Sequence, residues 1–152
     1  MRLKFTFLIF FLVTLCFSQK NIKKPNVLLL YMDDLRPELN SYGATHIYSP
    51  NIDKLSKIGV QFNEAYANVA VCGASRASML TGIYPSRNYF IDYKTRADVE
   101  KKEIVSLAKH LKNNGYTTIS NGKIYHFLDD KWEDWDEVWR PYAFEGPKEI
   151  KP

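Results

Sequence analysis

The chain has 152 residues and a formal net charge of +4, and its composition is 45% hydrophobic and 14% aromatic. This length allows one ordinary domain, and the apolar content excludes a disordered polar tail. The net charge is small and no basic run with interleaved aromatic residues is present, which argues against nucleic acid as a partner.

The N-terminal 18 residues have the pattern of an export signal. Two basic residues precede an apolar run over 5–17, which is too short for a stable membrane span. The small residues around position 16 predict cleavage before Gln19, so we expect a periplasmic or secreted protein. Lipid anchoring through Cys16 is the alternative, and the bulky Leu15 before it argues against this.

A buried strand followed by two carboxylates is predicted after a polar linker at 19–24. The run 27–32 is apolar without alternation, which is typical of a central parallel strand. Asp33 and Asp34 end this run, at the edge of an α/β sheet where ligands bind. Carboxylate oxygens suit calcium or magnesium, and both could reach one ion only if the chain bends there. A solvated turn is the alternative interpretation of this pair.

The next elements are a short helix and a strand. Ser49 is a candidate N-cap, proline follows it, and Gly59 ends the apolar pattern, which predicts a helix over 50–58. The alternation over 60–66 predicts a strand.

Cys72 begins a second predicted helix, which ends at Gly82. Once the export signal is removed, Cys72 is the remaining cysteine, so an intramolecular disulfide is excluded. Arg76 lies one turn further along the same helical face. A helix start beside an arginine favours an anion, so a nucleophile there suggests chemistry on a phosphate or sulfate ester. A buried cysteine that packs as a small hydrophobe is the alternative.

The remainder of the chain continues the alternation of helices and strands. We expect a surface loop over 83–102, a helix over 103–114 and a strand over 116–120. Lys123 and His126 follow that strand, so parallel strands would bring them to the edge that carries the two aspartates. The visible strands are few for a sheet covered on both faces, which indicates the first part of a larger fold.

Four blocks of the sequence together resemble the type I sulfatases of the alkaline phosphatase superfamily, and they are closest to the iduronate-2-sulfatase-like branch. The blocks occur in the family's order over residues 25 to about 140. They are 25–37 with the aspartate pair, 49–55, 72–82 with the Cys-x-x-Ser-Arg signature, and 114–126 with Gly-Lys-x-x-His.

This resemblance implies an α/β fold, with 25–152 as the N-terminal portion of an alkaline-phosphatase-like sandwich that has a mostly parallel central sheet and is incomplete here. It implies a sulfuric ester hydrolase acting on sulfated sugars or polysaccharides. A formylglycine-generating or anaerobic sulfatase-maturating enzyme would convert Cys72 to formylglycine, whose hydrated aldehyde attacks sulfur. The implied roles are calcium binding by Asp33, Asp34 and the modified Cys72, stabilisation of the formylglycine by Arg76, and substrate binding and catalysis by Lys123 and His126.

The sequence departs from the family's pattern in two respects. Ala74 replaces the proline usual in the signature, which bears on maturation of Cys72. Family members run to several hundred residues, and their remaining metal and sulfate ligands come from later segments. We therefore expect these 152 residues alone to bind metal poorly and to have little activity.

Two other functions remain open at this point. One is a phosphoester or phosphonate hydrolase of the same superfamily, which shares the metal edge. The other is a non-catalytic, exported glycan-binding protein that stacks sugars on Trp132, Trp135 and Trp139.

Overall fold

The computed structural model describes residues 23–139, which divide into two units between Leu30 and Tyr31. The first unit contributes residues 23–30, which form neither a helix nor a strand. The expected export signal at 1–18 lies outside the described residues. Within 23–139, no helix is both long and apolar enough to cross a membrane.

Over residues 31–139, the second unit contains four short helices and a small sheet. The helices are α1 (Pro50–Ile58), α2 (Cys72–Thr81), α3 (Ala97–Glu100) and α4 (Leu107–Asn113), and the strands are β1 (Ile119–Asn121) and β2 (Glu137–Trp139). Single 3-10 turns lie at Asn40–Tyr42 and Trp132–Asp134.

Helix α2 lies at the centre of the core. Ala74 and Ala77 are fully buried on it, and they pack with Phe90, Ala97 and other buried residues of the unit. Small side chains allow neighbouring backbone to approach a helix closely, so this face is covered by chain from the 89–97 region. Gly82 ends α2 in the left-handed conformation (φ 69°) and donates its N–H to the carbonyl of Ser78, as expected for a glycine at this position.

The two strands pair in parallel, which confirms the predicted α/β class. Ile119 pairs with Glu137 and Asn121 with Trp139, and the alternate positions Ser120 and Val138 are buried. The N–H of Gly122 donates to the carbonyl of Trp139 (2.9 Å). This bond directs the chain out of β1 and into the loop that carries Lys123 and His126.

Two predicted strands, over 27–32 and 60–66, are not formed. Both segments have the side-chain pattern of a strand, but a strand also requires a hydrogen-bonded neighbour. The sheet of the described chain consists of β1 and β2, so neither segment has such a partner. Val60 and Phe62 are accordingly 82% and 70% exposed.

Three other segments also differ from the predictions. The helix predicted from residue 103 starts at Leu107, because the hydroxyl of Ser106 accepts the N–H of Lys109 and so sets the start of the helix. The expected surface loop over 83–102 contains α3 and the fully buried Phe90. The predicted strand over 116–120 occurs three residues later, as β1.

Candidate functional site

Cys72 is the first residue of α2, and its side chain is half-buried. Val71 precedes it at the N-cap position with an extended backbone, and an aliphatic side chain cannot accept the N–H groups of the first turn. These N–H groups and the helix dipole favour negative charge beside the cysteine. The alternative of a buried hydrophobic cysteine does not describe this position.

His126 lies beside the cysteine. Its Nδ1 is 3.3 Å from Sγ of Cys72, which is within hydrogen-bond distance for sulfur, although the two residues are 54 positions apart. The loop after β1 carries His126 to this place. A thiol or hydroxyl at position 72 therefore has an imidazole positioned to exchange a proton with it.

Arg76 is buried (2% exposed), and it joins three segments of the chain. Its Nη1 donates to the carbonyl oxygens of Lys123 (2.6 Å) and Ile124 (2.9 Å), and its Nη2 donates to Oδ1 of Asp33 (2.9 Å). The guanidinium also lies 4.4 Å from the ring centroid of Tyr31. Arg76 therefore holds the loop after β1 and the aspartate segment against α2.

Asp33 accepts from two cations. Nζ of Lys123 donates to its Oδ2 (2.6 Å), while Arg76 occupies the other oxygen. The ammonium of Lys123 and the guanidinium of Arg76 lower the pKa of the Asp33 carboxyl. The two cations thus neutralise the carboxylate of Asp33, and their N–H groups are the kind of donors that bind an anionic substrate.

The aspartates and Cys72 line one cavity of about 360 Å³, with Arg76 at its wall. Asp34 has a positive φ (50°), a conformation that aspartate tolerates better than most residues. The regular extended backbone therefore ends at Asp34.

The described residues match a calcium site in donor chemistry but not in donor number. Carboxylate oxygens are suitable ligands, and Asp33 and Asp34 provide them. Among residues 23–139, however, no group of three or more His, Cys, Asp and Glu side chains is placed to hold a metal ion. Lys123 and Arg76 also already engage both oxygens of Asp33. Further ligands are therefore required before this pair can complete a calcium site.

Three aromatic residues that the sequence did not single out as site residues lie beside the site. Tyr31 lies against Arg76, and Tyr93 and Phe127 lie against the ring of His126. Tyr31 is adjacent to the aspartates in sequence and Phe127 to the histidine, which is the signal that could have identified them. Tyr93 lies in the polar stretch 83–102, for which the sequence suggests a surface loop lining a site, but no periodic pattern distinguishes it from the other aromatic residues there.

Comparisons with known proteins identify the family of this chain. The family model described as Sulfatase matches residues 25–135. Iduronate 2-sulfatase of Homo sapiens is 42% identical over 101 residues, which cover 66% of this chain and 18% of the relative. N-acetylgalactosamine-6-O-sulfatase of Bacteroides thetaiotaomicron is 40% identical over 115 residues, 74% of this chain and 22% of the relative.

A third relative extends further along the chain. An ulvan-active sulfatase of Formosa agariphila is 31% identical over 134 residues, which cover 86% of this chain and 26% of that protein. The chain thus spans about a fifth to a quarter of the length of the curated relatives it matches. Since the family model covers most of the chain, with the site residues inside the match, the chain belongs to the sulfatase family.

Proposed function

We propose that the protein containing this chain is a sulfuric ester hydrolase that removes sulfate from sulfated sugars or polysaccharides. The contact between Cys72 and His126, beside the cationic cluster around Asp33, is the observation that carries this proposal. The relatives that are named for N-acetylgalactosamine 6-O-sulfate and for ulvan support a sulfated carbohydrate as the substrate class.

The residues of this chain would have separate roles in sulfate binding, proton transfer and positioning. The N-terminal N–H groups of α2 and the ammonium of Lys123 would attract the sulfate group to the cavity. His126 would hydrogen-bond to the side chain at position 72 and move a proton there. Arg76 would keep Lys123 and Asp33 in place, because its guanidinium donates to both segments.

Two groups would complete the chemistry. Formylglycine at position 72, for which Sγ of Cys72 stands in here, would supply a hydrated aldehyde as the nucleophile on sulfur. Calcium, held by Asp33, Asp34 and the modified residue 72, would neutralise charge on the sulfate. Supporting ligands from outside residues 23–139 are part of this proposal.

We also propose that the protein is exported and that a maturation enzyme acts on Cys72. The signal-like pattern over 1–18 supports export. A formylglycine-generating or anaerobic sulfatase-maturating enzyme would be the partner. Because Ala74 replaces the usual proline of the motif, conversion of Cys72 by such an enzyme tests this part of the proposal directly.

The decisive experiment uses the natural gene product that contains these residues, produced with a formylglycine-generating enzyme. A mass spectrum of the peptide containing residue 72 should show conversion to formylglycine. Sulfate release from a panel of sulfated oligosaccharides should then be measurable by ion chromatography, and it should disappear in Cys72→Ala. Glu103→Gln, a change of an exposed carboxylate outside the cavity, is the control that should keep activity.

Three results would contradict this function. Unmodified cysteine in the presence of a competent maturation enzyme would argue against the formylglycine route. Release of phosphate from matched phosphate monoesters in preference to sulfate would favour the phosphoester hydrolase. Binding of unsulfated glycans without any ester hydrolysis would favour the glycan-binding alternative.

A further inference from the structure

The imidazole of His126 lies between two aromatic rings. The ring centroid of Phe127 is 5.0 Å away at an interplanar angle of 85°, and that of Tyr93 is 6.1 Å away at 72°. Both are edge-to-face contacts, the arrangement that the ring quadrupoles favour. The two contacts together restrict the orientation of the imidazole.

Charged residues support the two rings in turn. Nζ of Lys94 lies 5.7 Å from the ring centroid of Tyr93, and Cζ of Arg96 lies 5.5 Å from that of Phe127. Arg96 is itself fixed by ion pairs with Asp98 (2.7 Å) and Asp129 (2.8 Å). Cation–π contacts with Lys94 and Arg96 therefore also restrict the positions of the two rings.

Gly73 couples this assembly to the helix that carries Cys72. A Cβ at Gly73 would lie 2.8 Å from the carbonyl carbon of Tyr93 and 3.0 Å from the carbonyl oxygen of Asp92. Backbone atoms cannot move away as the end of a flexible side chain can, so any larger residue would displace the segment. Glycine at position 73 thus allows the backbone of Tyr93 to lie against the first turn of α2.

We infer that Gly73, Tyr93 and Phe127 are positioning residues, which hold the imidazole of His126 against the side chain at position 72. Gly73 sets the distance between the Tyr93 segment and α2, and the two rings set the orientation of the imidazole. The catalytic use of this contact rests on the proposed function, whereas the contact itself can be tested without it.

The test measures the reactivity of unmodified Cys72. The 152-residue chain is produced without a maturation enzyme and with Cys16→Ser, and the rate of alkylation by iodoacetamide is followed at one neutral pH by mass spectrometry of the Cys72 peptide. An imidazole beside a thiol assists removal of its proton, and the thiolate is the reactive form. His126→Ala should therefore slow alkylation by at least about threefold, because the imidazole that accepts the thiol proton during the reaction is removed.

The positioning variants are compared with this reference. Tyr93→Ala should slow alkylation by at least half as much as His126→Ala, and Tyr93→Phe should restore the original rate because the ring contact needs no hydroxyl. Tyr48→Ala is the matched control, since Tyr48 is 92% exposed, and it should leave the rate unchanged. Circular dichroism establishes that each variant is folded.

Gly73→Ala should act in the same direction as Tyr93→Ala. Gly59→Ala is its control, because a Cβ there also makes a tight backbone contact, 3.2 Å from the carbonyl oxygen of Leu55, but beside a helix that does not carry Cys72. If Gly73→Ala does not fold, the alkylation rates of Tyr93→Ala and Tyr93→Phe test the inference without it. An original rate in Tyr93→Ala, or in His126→Ala, overturns the inference. The assay contains no sulfate ester, so a failure to release sulfate would count against the proposed function alone.

Discussion

Replacing Arg76 by alanine should destabilise the fold more than any exposed arginine does. Arg76 is 2% exposed, and its guanidinium makes two hydrogen bonds to the carbonyls of Lys123 and Ile124. It also forms an ion pair with Asp33, whose side chain is 40% exposed. Truncation would remove all of these bonds and would leave the two carbonyls without their donor.

The expected loss follows from these contacts. A hydrogen bond from a charged donor contributes about 1.5 kcal/mol at the lower end of the usual range, which gives about 3 kcal/mol for the two carbonyls. The ion pair adds about 0.5 kcal/mol, because solvent screens the half-exposed carboxylate. The free energy of unfolding of Arg76→Ala should therefore fall by about 3.5 kcal/mol. The free energy of unfolding of Arg76→Lys should lie between those of the original chain and Arg76→Ala, since an ammonium keeps the charge but lacks the planar, forked donors of the guanidinium.

Urea denaturation of the 152-residue chain, followed by tryptophan fluorescence, measures this loss. With a slope of about 2 kcal/mol/M, the midpoint should drop by about 1.7 M. Arg36→Ala is the matched control, because Arg36 is 80% exposed and pairs with Glu38 at 3.2 Å, and it should change stability by less than about 0.5 kcal/mol. Equal midpoints for Arg76→Ala and Arg36→Ala would refute the conclusion that Arg76 stabilises the fold by joining the loop after β1 and the aspartate segment to α2.

Three further outcomes can be measured in the same way. Gly82→Ala should cost about 1 kcal/mol, because φ at this position is 69°, and a variant as stable as the original chain would contradict this. Ser106→Ala should cost about 1 to 2 kcal/mol and reduce helical circular dichroism, since the hydroxyl accepts the N–H of Lys109 and donates to Asp134; unchanged stability would count against the cap. Lys123 and Arg76 lower the pKa of Asp33 below its ordinary 3.8, so this carboxylate stabilises the fold above that pH and the contribution is lost as pH falls through the lowered pKa. Asp33→Asn should remove that part of the acid dependence of Tm, and a profile parallel to the original would show the ion pairs to be without effect.

Features with local causes were predicted well from the sequence. Helix α2 occupies the predicted range because Gly82 ends it, and α1 begins at the predicted proline and ends before Gly59. These signals act within a few residues of the element they define. The predicted strands over 27–32 and 60–66 depended instead on partners elsewhere in the chain, and the sequence pattern contains no information on whether a partner is present.

In the site, too, some features could be predicted from the sequence and others depend on contacts that the sequence does not reveal. The order of strands and loops predicted only that His126 would reach the edge that carries the two aspartates. Its approach to residue 72 was implied by the resemblance to the sulfatases, and the two side chains are in contact in the structure. The bonds from Arg76 to the carbonyls of Lys123 and Ile124 could not be predicted, because backbone acceptors are the same in every residue. The burial of Phe90 in a polar stretch was equally invisible, since it reflects packing against α2 rather than a repeating pattern.

The bonds of Arg76 and Lys123 also have a consequence for folding kinetics. The contacts of Arg76 with Asp33, Lys123 and Ile124 span 43, 47 and 48 positions, and the contact of Lys123 with Asp33 spans 90. Closing such loops costs entropy that must be spent before the contacts are gained, whereas a ten-residue helix forms from neighbouring groups. We therefore expect α2 to be populated early, with the cationic cluster closing near the end of folding. Substitutions of Arg76 should then accelerate unfolding while leaving the refolding rate almost unchanged.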